Sequence, residues 1–346
     1  MKILKSSLLA SFIYMGVILC MFSCKSYIPD DMDALGDQIK FTKRDFTPIV
    51  GRTSFHEDLL SETNKSTLPL DIEILDIKDA DGNSVKKLFT DKFPVHVWQS
   101  SYTGKETSLK EIEDKRTIEY RPAIELQKHS GDLVFWNTTS LLGLQTIPSD
   151  GYSMDVAIGN KGGSTIDRDL KLRFYKPRPY EPSEYDPNTG LARYSYLWPE
   201  PTDISNLIDE DQFGIYDIRI NIIKNYDNKA PGSTLTISTV DSLYKPIDIK
   251  KFNNTNFETL VHGFNPRFDN GKVTYDVLYP MPIANIKTNY TNSDGTRSTL
   301  YLGYKRLDVL GRLSESYIKF NFAIYEEGHW EIRIRFAGSI PKFDND

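Results

Sequence analysis

Cys24 is the residue whose chemistry is most sharply set by its neighbours. Lys2 and Lys5 precede an apolar run from Leu8 to Phe22, and Met21-Phe22-Ser23-Cys24 closes it. A positive start, a hydrophobic middle and a small residue before the cut make up a bacterial secretory signal. A cut that falls before a cysteine points to lipidation at Cys24, with Ser23 as the small residue. Cys20 is a poor rival, because it lies inside the apolar run behind bulky Leu19. The alternative, an ordinary membrane anchor, needs roughly 20 apolar residues, more than this run offers. Palmitate-type acyl chains on one cysteine hold a protein to a bilayer at about 0.8 kcal/mol per buried CH₂.

A second pattern suited to recognition is Tyr194-Ser195-Tyr196-Leu197-Trp198. In an extended chain, Tyr194, Tyr196 and Trp198 project from one face at intervals of about 6.7 Å, twice the strand rise. Three aromatic faces in a row match successive sugar rings, whose C–H faces are apolar, and Arg193 and Glu200 stand near for the hydroxyls. The competing reading is that these rings wedge two domains together. Trp98 with Tyr102 is a weaker pair of the same kind, with Trp98 expected in a core.

The remaining reactive residues form no recognised constellation. His56, His96, His129, His262 and His329 are scattered singly, without HExxH or HxH spacing, so no metal site is expected. His96 reads as an ordinary strand residue and His329 as a solvated loop neighbour. Asp79-Ala80-Asp81-Gly82-Asn83 lacks the sixth-position glycine and distant glutamate of a calcium loop, and reads as a hairpin turn. No Gly-x-Ser-x-Gly elbow occurs, and Gly159 to Gly163 lacks the strand-to-helix setting of a phosphate loop. A glycosidase pair of carboxylates about 5–9.5 Å apart is not legible in a sequence. The expectation is a non-enzyme without cofactor or metal, with a hydrolase as the lesser alternative.

Composition bounds the partners. The formal charge is −6, and loss of Lys2 and Lys5 with the signal leaves about −8. That acidity, with no basic cluster, argues against nucleic acid as a partner. A chain beginning at Cys24 has no second cysteine, which excludes disulfides, cysteine-built metal sites and a catalytic thiol.

The elements that carry these residues read as strands. Tyr and Phe are abundant, and short segments alternate at period two. Leu70 to Ile74, Phe93 to Trp98, Ile118 to Leu126, Leu133 to Trp136, Tyr152 to Ile158 and Leu170 to Tyr175 are the expected strands of the first half. Ile215 to Ile223, Thr234 to Val240, Val273 to Leu278, Leu300 to Leu307, Tyr317 to Tyr325 and Trp330 to Phe336 are those of the second. The one convincing helix runs from Leu109 to Arg116, capped by Thr107 or Ser108, with Glu111 three residues after Ser108 as a capping box. Asn270-Gly271 and Asp294-Gly295 are hairpin signals. Matching the apolar faces of the last two strands predicts a hairpin through a three-residue loop, Glu326-Glu327-Gly328, with Ile324 opposite Trp330. The expected fold is all-β: two β-sandwich or jelly-roll-like domains with very little helix. Residues 1–23 are the signal and 24–45 a tether. An N-terminal β domain takes 46–175, a proline-rich connection 176–203 and a C-terminal β domain 204–346.

Phe46 to Thr53, Val97-Trp98, Tyr102 to Arg116, Gly151 to Val156 and Tyr180 to Ser183 together resemble a family of uncharacterised Bacteroidetes lipoproteins, the domain-of-unknown-function 5007 family. The resemblance covers most of the N-terminal half. It implies a cell-envelope lipoprotein of a gut-type anaerobe, encoded near an outer-membrane uptake system that imports glycans. It implies no activity and carries over no site residue. Taken together, the expectation is a surface-exposed, outer-membrane lipoprotein that binds polysaccharide or an uptake-complex partner. The alternative is a structural or adhesion role.

Overall fold

The structure is a computed structural model that describes residues 33–137, 143–186, 188–189, 191, 198–308 and 310–343. In the first half the strands are β1 (Asp45–Phe46), β2 (Ser54–His56), β3 (Asp71–Lys78), β4 (Lys92–Trp98), β5 (Arg116–Pro122), β6 (Ile124–Leu126), β7 (Leu133–Phe135), β8 (Tyr152–Asn160) and β9 (Gly163–Leu172). The second half holds β10 (Tyr180–Glu181), β11 (Asp203–Ser205), β12 (Ile218–Lys224), β13 (Thr234–Val240), β14 (Pro246–Ile247), β15 (Phe264–Asp269), β16 (Lys272–Asp276), β17 (Ser298–Leu307), β18 (Leu313–Ile324) and β19 (His329–Phe336). The fold is all-β and sandwich-like, as the alternation predicts.

In the first half, a sheet ordered β1-β9-β8-β3 shares a core with a sheet ordered β2-β7-β6. On β8, Tyr152, Met154, Val156 and Ile158 are buried, and the residues between them are not fully so. Strand β3 carries Ile72 and then Ile77 into the same core, a spacing that breaks period two. A register shift against β8 between Ile74 and Asp76 absorbs the odd residue, as a bulge does.

The second core lies between two larger sheets. Strand β18 pairs with β17 along one edge and with β10 and then β11 along the other. The facing sheet runs β12-β19-β13-β16-β15, with β13 parallel to β19. Leu300, Leu302, Ile318, Phe320 and Phe322 meet Ile220, Ile222, Leu235, Ile237, Ile332 and Ile334 between them. Asn270 and Gly271 both take positive φ in a two-residue β15–β16 turn, as their types require.

Five expectations about the fold need correction, the first being that Ile118 to Leu126 is not one strand but spans β5 and β6, which lie in different sheets. Strands β18 and β19 do not form a hairpin: Phe322 faces Ser298, and Ile332 faces Ile222 and Ile237. Alternation fixes which face of each strand is apolar, and both faces do enter one core, but from opposite sheets. The Glu326–Gly328 segment is the crossing, held by Lys224 Nζ on Glu326 Oε2 at 2.8 Å. The tether is shorter than 24–45, because Ile39 and Phe41 are buried in the first core. The connection 176–203 is not wholly outside the sheets: Tyr180, Glu181 and Asp203 are edge-strand residues on β18. Finally, the helix α2 (Leu109–Glu113), which follows α1 (Lys86–Thr90), ends before Arg116, where β5 begins. Its start is as expected, with Ser108 Oγ accepting from Glu111 N and Glu111 reaching back to Thr107 N.

Between the two cores, β4 and β5 form a separate two-stranded ribbon. The loop and helix that join them reach the second half, where Tyr102 and Ile112 pack with Ile283.

Candidate functional site

Trp198 stands beside a groove of about 260 Å³ on the outer side of the second sandwich, lined also by Glu184, Asn221, Ile223, Tyr244 and Arg333. Each side chain has a local reason to be there. The Pro199 carbonyl accepts from Ile220 N at 2.8 Å, which lays this segment along the free edge of β12. Proline, with no N–H to offer a ladder, suits such an edge. Across the groove, Tyr244 sits in the turn between β13 and β14. There Asp241 Oδ1 accepts from both Leu243 N and Lys245 N at 2.8 Å, and Tyr244 takes a φ of 64°. Arg335 stacks its guanidinium 4.4 Å above the Tyr244 ring and donates to Ser242 O, so the ring is backed on one side.

Asn221 and Arg333 are cross-strand partners on β12 and β19. Glu331 holds the Arg333 guanidinium by two contacts, at 3.2 and 3.1 Å, and also accepts from Ser238 and Lys272. Burial alone would raise the Glu331 carboxyl. Ser238, Arg333 and Lys272 outweigh it and keep the group below its ordinary value. Arg333 Nη1 and the Asn221 amide keep no protein partner among the described residues, and Glu184 accepts from the Tyr180 hydroxyl at 3.0 Å. Trp198 is 38% exposed and Tyr244 51%. The groove thus offers two aromatic surfaces and fixed polar groups. It is smaller than the roughly 300–1,000 Å³ of enclosed ligand pockets.

Of the sequence candidates, Trp198 is in this groove; Cys24, Arg193, Tyr194 and Tyr196 lie outside the described residues. Glu200 is exposed and does not line it. Tyr244, Asn221, Arg333 and Glu184 were not legible. Their only signals were an exposed position on an alternating strand for Arg333 and an Asp-led turn for Tyr244.

Other candidates land differently. Trp98 is exposed, not in a core: it shares the outer face of the ribbon with Ile118 and Tyr120, and no sheet among the described residues covers that face. His329 is buried instead of solvated, held by Thr234 Oγ1 at 2.9 Å and Ala230 O at 3.0 Å, because β19 already begins there beside β13. Tyr102 is buried and donates to His262 Nδ1, while His262 Nε2 donates to Glu106 O at 2.9 Å. The imidazole stacks on Tyr290 with centroids 4.4 Å apart. Burial lowers the His262 pKa, with Glu106 opposing. Burial would raise the Glu106 carboxyl, but Lys115 and Thr103 bring it down to about 2. This network ties the ribbon's loop to the second sandwich. No group of three His, Cys, Asp or Glu able to hold a metal occurs among the described residues. No helix among them is long and apolar enough to cross a membrane.

Fold and groove together define an all-β protein with two cores and an aromatic-walled surface cleft. The family model for a domain of unknown function, DUF5007, matches residues 60–345, and the chain belongs to that family. The match runs through both halves, further than the N-terminal resemblance reached. Comparison with curated proteins gives no match.

Proposed function

We propose that this protein is a non-catalytic, surface-exposed lipoprotein of the bacterial outer membrane, anchored through Cys24, that binds glycan as an accessory to a nutrient-uptake system. The observation that carries the binding reading is the groove in which half-exposed Trp198 and Tyr244 accompany Asn221, Arg333 and Glu184. Aromatic faces take the apolar C–H side of a sugar ring, and the polar groups take its hydroxyls. The anchoring reading rests on the signal and Ser23-Cys24. Its test is labelling: in a Gram-negative host fed radiolabelled palmitate, wild type should take up label and Cys24→Ala should not, and an unlabelled wild type would refute lipidation. The binding test is a panel of host, plant and microbial polysaccharides against the chain from Lys25, with Trp198→Ala alongside.

A second reading is favoured by one observation. Trp98, Ile118 and Tyr120 share an uncovered ribbon face, as an assembly contact would require. Absence of polysaccharide binding together with loss of a co-purifying partner in Tyr120→Ser would move the assignment to a structural role.

A further inference from the structure

Where the two halves meet, three guanidinium groups converge on one carboxylate. Arg52, from the first half, places Nη1 2.7 Å from Glu181 Oε1 and Nη2 2.8 Å from the Arg178 carbonyl. Arg297 grips Glu181 Oε2, and Arg178 Nη1 lies 3.7 Å from Oε1. Arg52 also stacks over the Tyr325 ring at 3.6 Å. The Arg52 and Glu181 side chains are each 13% exposed. Among the described residues one carboxylate offsets one of three positive charges, and a charge held largely away from water without a counterion is costly.

The hydrogen-bond inventory agrees with the charge balance. Arg52 Nε, Arg178 Nε and Arg297 Nη1 are buried without a partner. An orphaned Nε alone is not distinctive, since Arg116, Arg306 and Arg335 each have one. The distinguishing facts are that three such donors belong to guanidiniums sharing a single carboxylate, and that one of them is a terminal Nη1. Water can satisfy donors but leaves the charge in place. The cleft beside Arg52 offers about 10 Å³, room for one water at most. Arg178 and Arg297 are the more exposed members, their side chains 23% and 30% exposed, so an anion would meet the cluster from their side and the buried donors would have to turn toward it.

We propose that the Arg52–Arg178–Arg297 cluster is an oxyanion site, completed by a sulfate-like dianion or by the carboxylate of an acidic sugar. Guanidinium forks match both geometries, and a dianion would bring the cluster to neutrality. The site joins residues from both halves, so its occupant also braces them. The inference does not depend on the Trp198 groove.

The test is titration calorimetry and thermal unfolding of the chain from Lys25, which retains every described residue. Sodium sulfate, sodium phosphate and glucuronate are compared with chloride at matched ionic strength. The site predicts saturable binding and a saturable rise in Tm, roughly 2 °C at tenfold excess over Kd. General salt exclusion gives an unsaturating rise instead. Arg297→Gln and Arg178→Gln, at the more exposed positions, should each weaken binding at least tenfold while remaining folded by circular dichroism. Stronger binding of sulfate assigns a free dianion; stronger binding of glucuronate assigns an acidic sugar. No saturable response to any of the three, or an equal response in wild type and both variants, overturns the site and leaves water as its filler.

Discussion

Removing a single oxygen, in Tyr102→Phe, should loosen the ribbon's hold on the second sandwich. The phenol donates to His262 Nδ1, and His262 Nε2 is already committed to the Glu106 carbonyl. The phenylalanine ring keeps the packing against Ile112 and Ile283, so the change isolates the hydrogen bond. A lost net bond and a buried acceptor left without a donor cost about 1–3 kcal/mol. The assay is denaturant unfolding at pH 7.5 combined with hydrogen exchange over residues 100–116. Exchange there should quicken about 5- to 150-fold, with β8 and β19 unchanged. The same site has a pH signature. Burial lowers the His262 pKa, so the unfolded chain takes up the proton first. Its contribution is complete above about 6.5 and declines as pH falls. The loss reaches at most about 1.4 kcal/mol at pH 5.5 if the folded imidazole stays neutral. His56 and His96, both lowered chiefly by burial, add with the same sign, so His262→Gln should remove only part of the slope. Glu106, held near 2, loses its contribution only below about 4.5 and stays outside this window. A Tyr102→Phe protein within 0.5 kcal/mol of wild type, with unchanged exchange, would refute the latch.

Asp167→Ala should destabilise by about 2–3 kcal/mol in urea, because the buried carboxylate accepts from Phe41 N at 2.6 Å and Arg44 Nη1 at 2.7 Å. Arg44 can return to water, so the cost falls on the amide. At Gly151, with φ +76°, an added Cβ would stand 2.3 Å from the Leu172 carbonyl oxygen. Gly151→Ala should therefore cost roughly 2–4 kcal/mol, read as a lower denaturation midpoint. Ser108→Ala removes the cap acceptor for Glu111 N, and should cost about 1 kcal/mol with faster amide exchange confined to α2.

Period two was enough to locate most strands, because burial on one face writes itself into the residue order. Thr234–Val240 appears with the expected bounds, and Ser298–Leu307 begins only two residues early. Pairing was not legible. Ile324 and Trp330 looked like hairpin partners because both face the core, yet a core between two sheets accepts the same pattern from either side. The fate of Trp98 failed for a related reason: alternation says which side chains share a face, not whether anything covers that face. The candidate groove shows the limit most clearly. Trp198 stood out by its type, but Asn221, Tyr244 and Arg333 reach it only through long-range register and a turn. The arginine cluster was invisible for the same reason, since Arg52, Arg178 and Arg297 are far apart in sequence and meet only at Glu181.

The most direct test of the binding account is affinity electrophoresis of the chain from Lys25 through gels containing each polysaccharide of the panel. Wild type is run beside Trp198→Ala, Tyr244→Ala and the distant control Tyr120→Ser. The account predicts at least one polysaccharide that retards wild type and the control equally. Retardation should be lost in Trp198→Ala and weakened in Tyr244→Ala, since stacking contacts of this kind carry about 1–3 kcal/mol. Retardation that survives both groove substitutions, or no retardation by any polysaccharide, would contradict it.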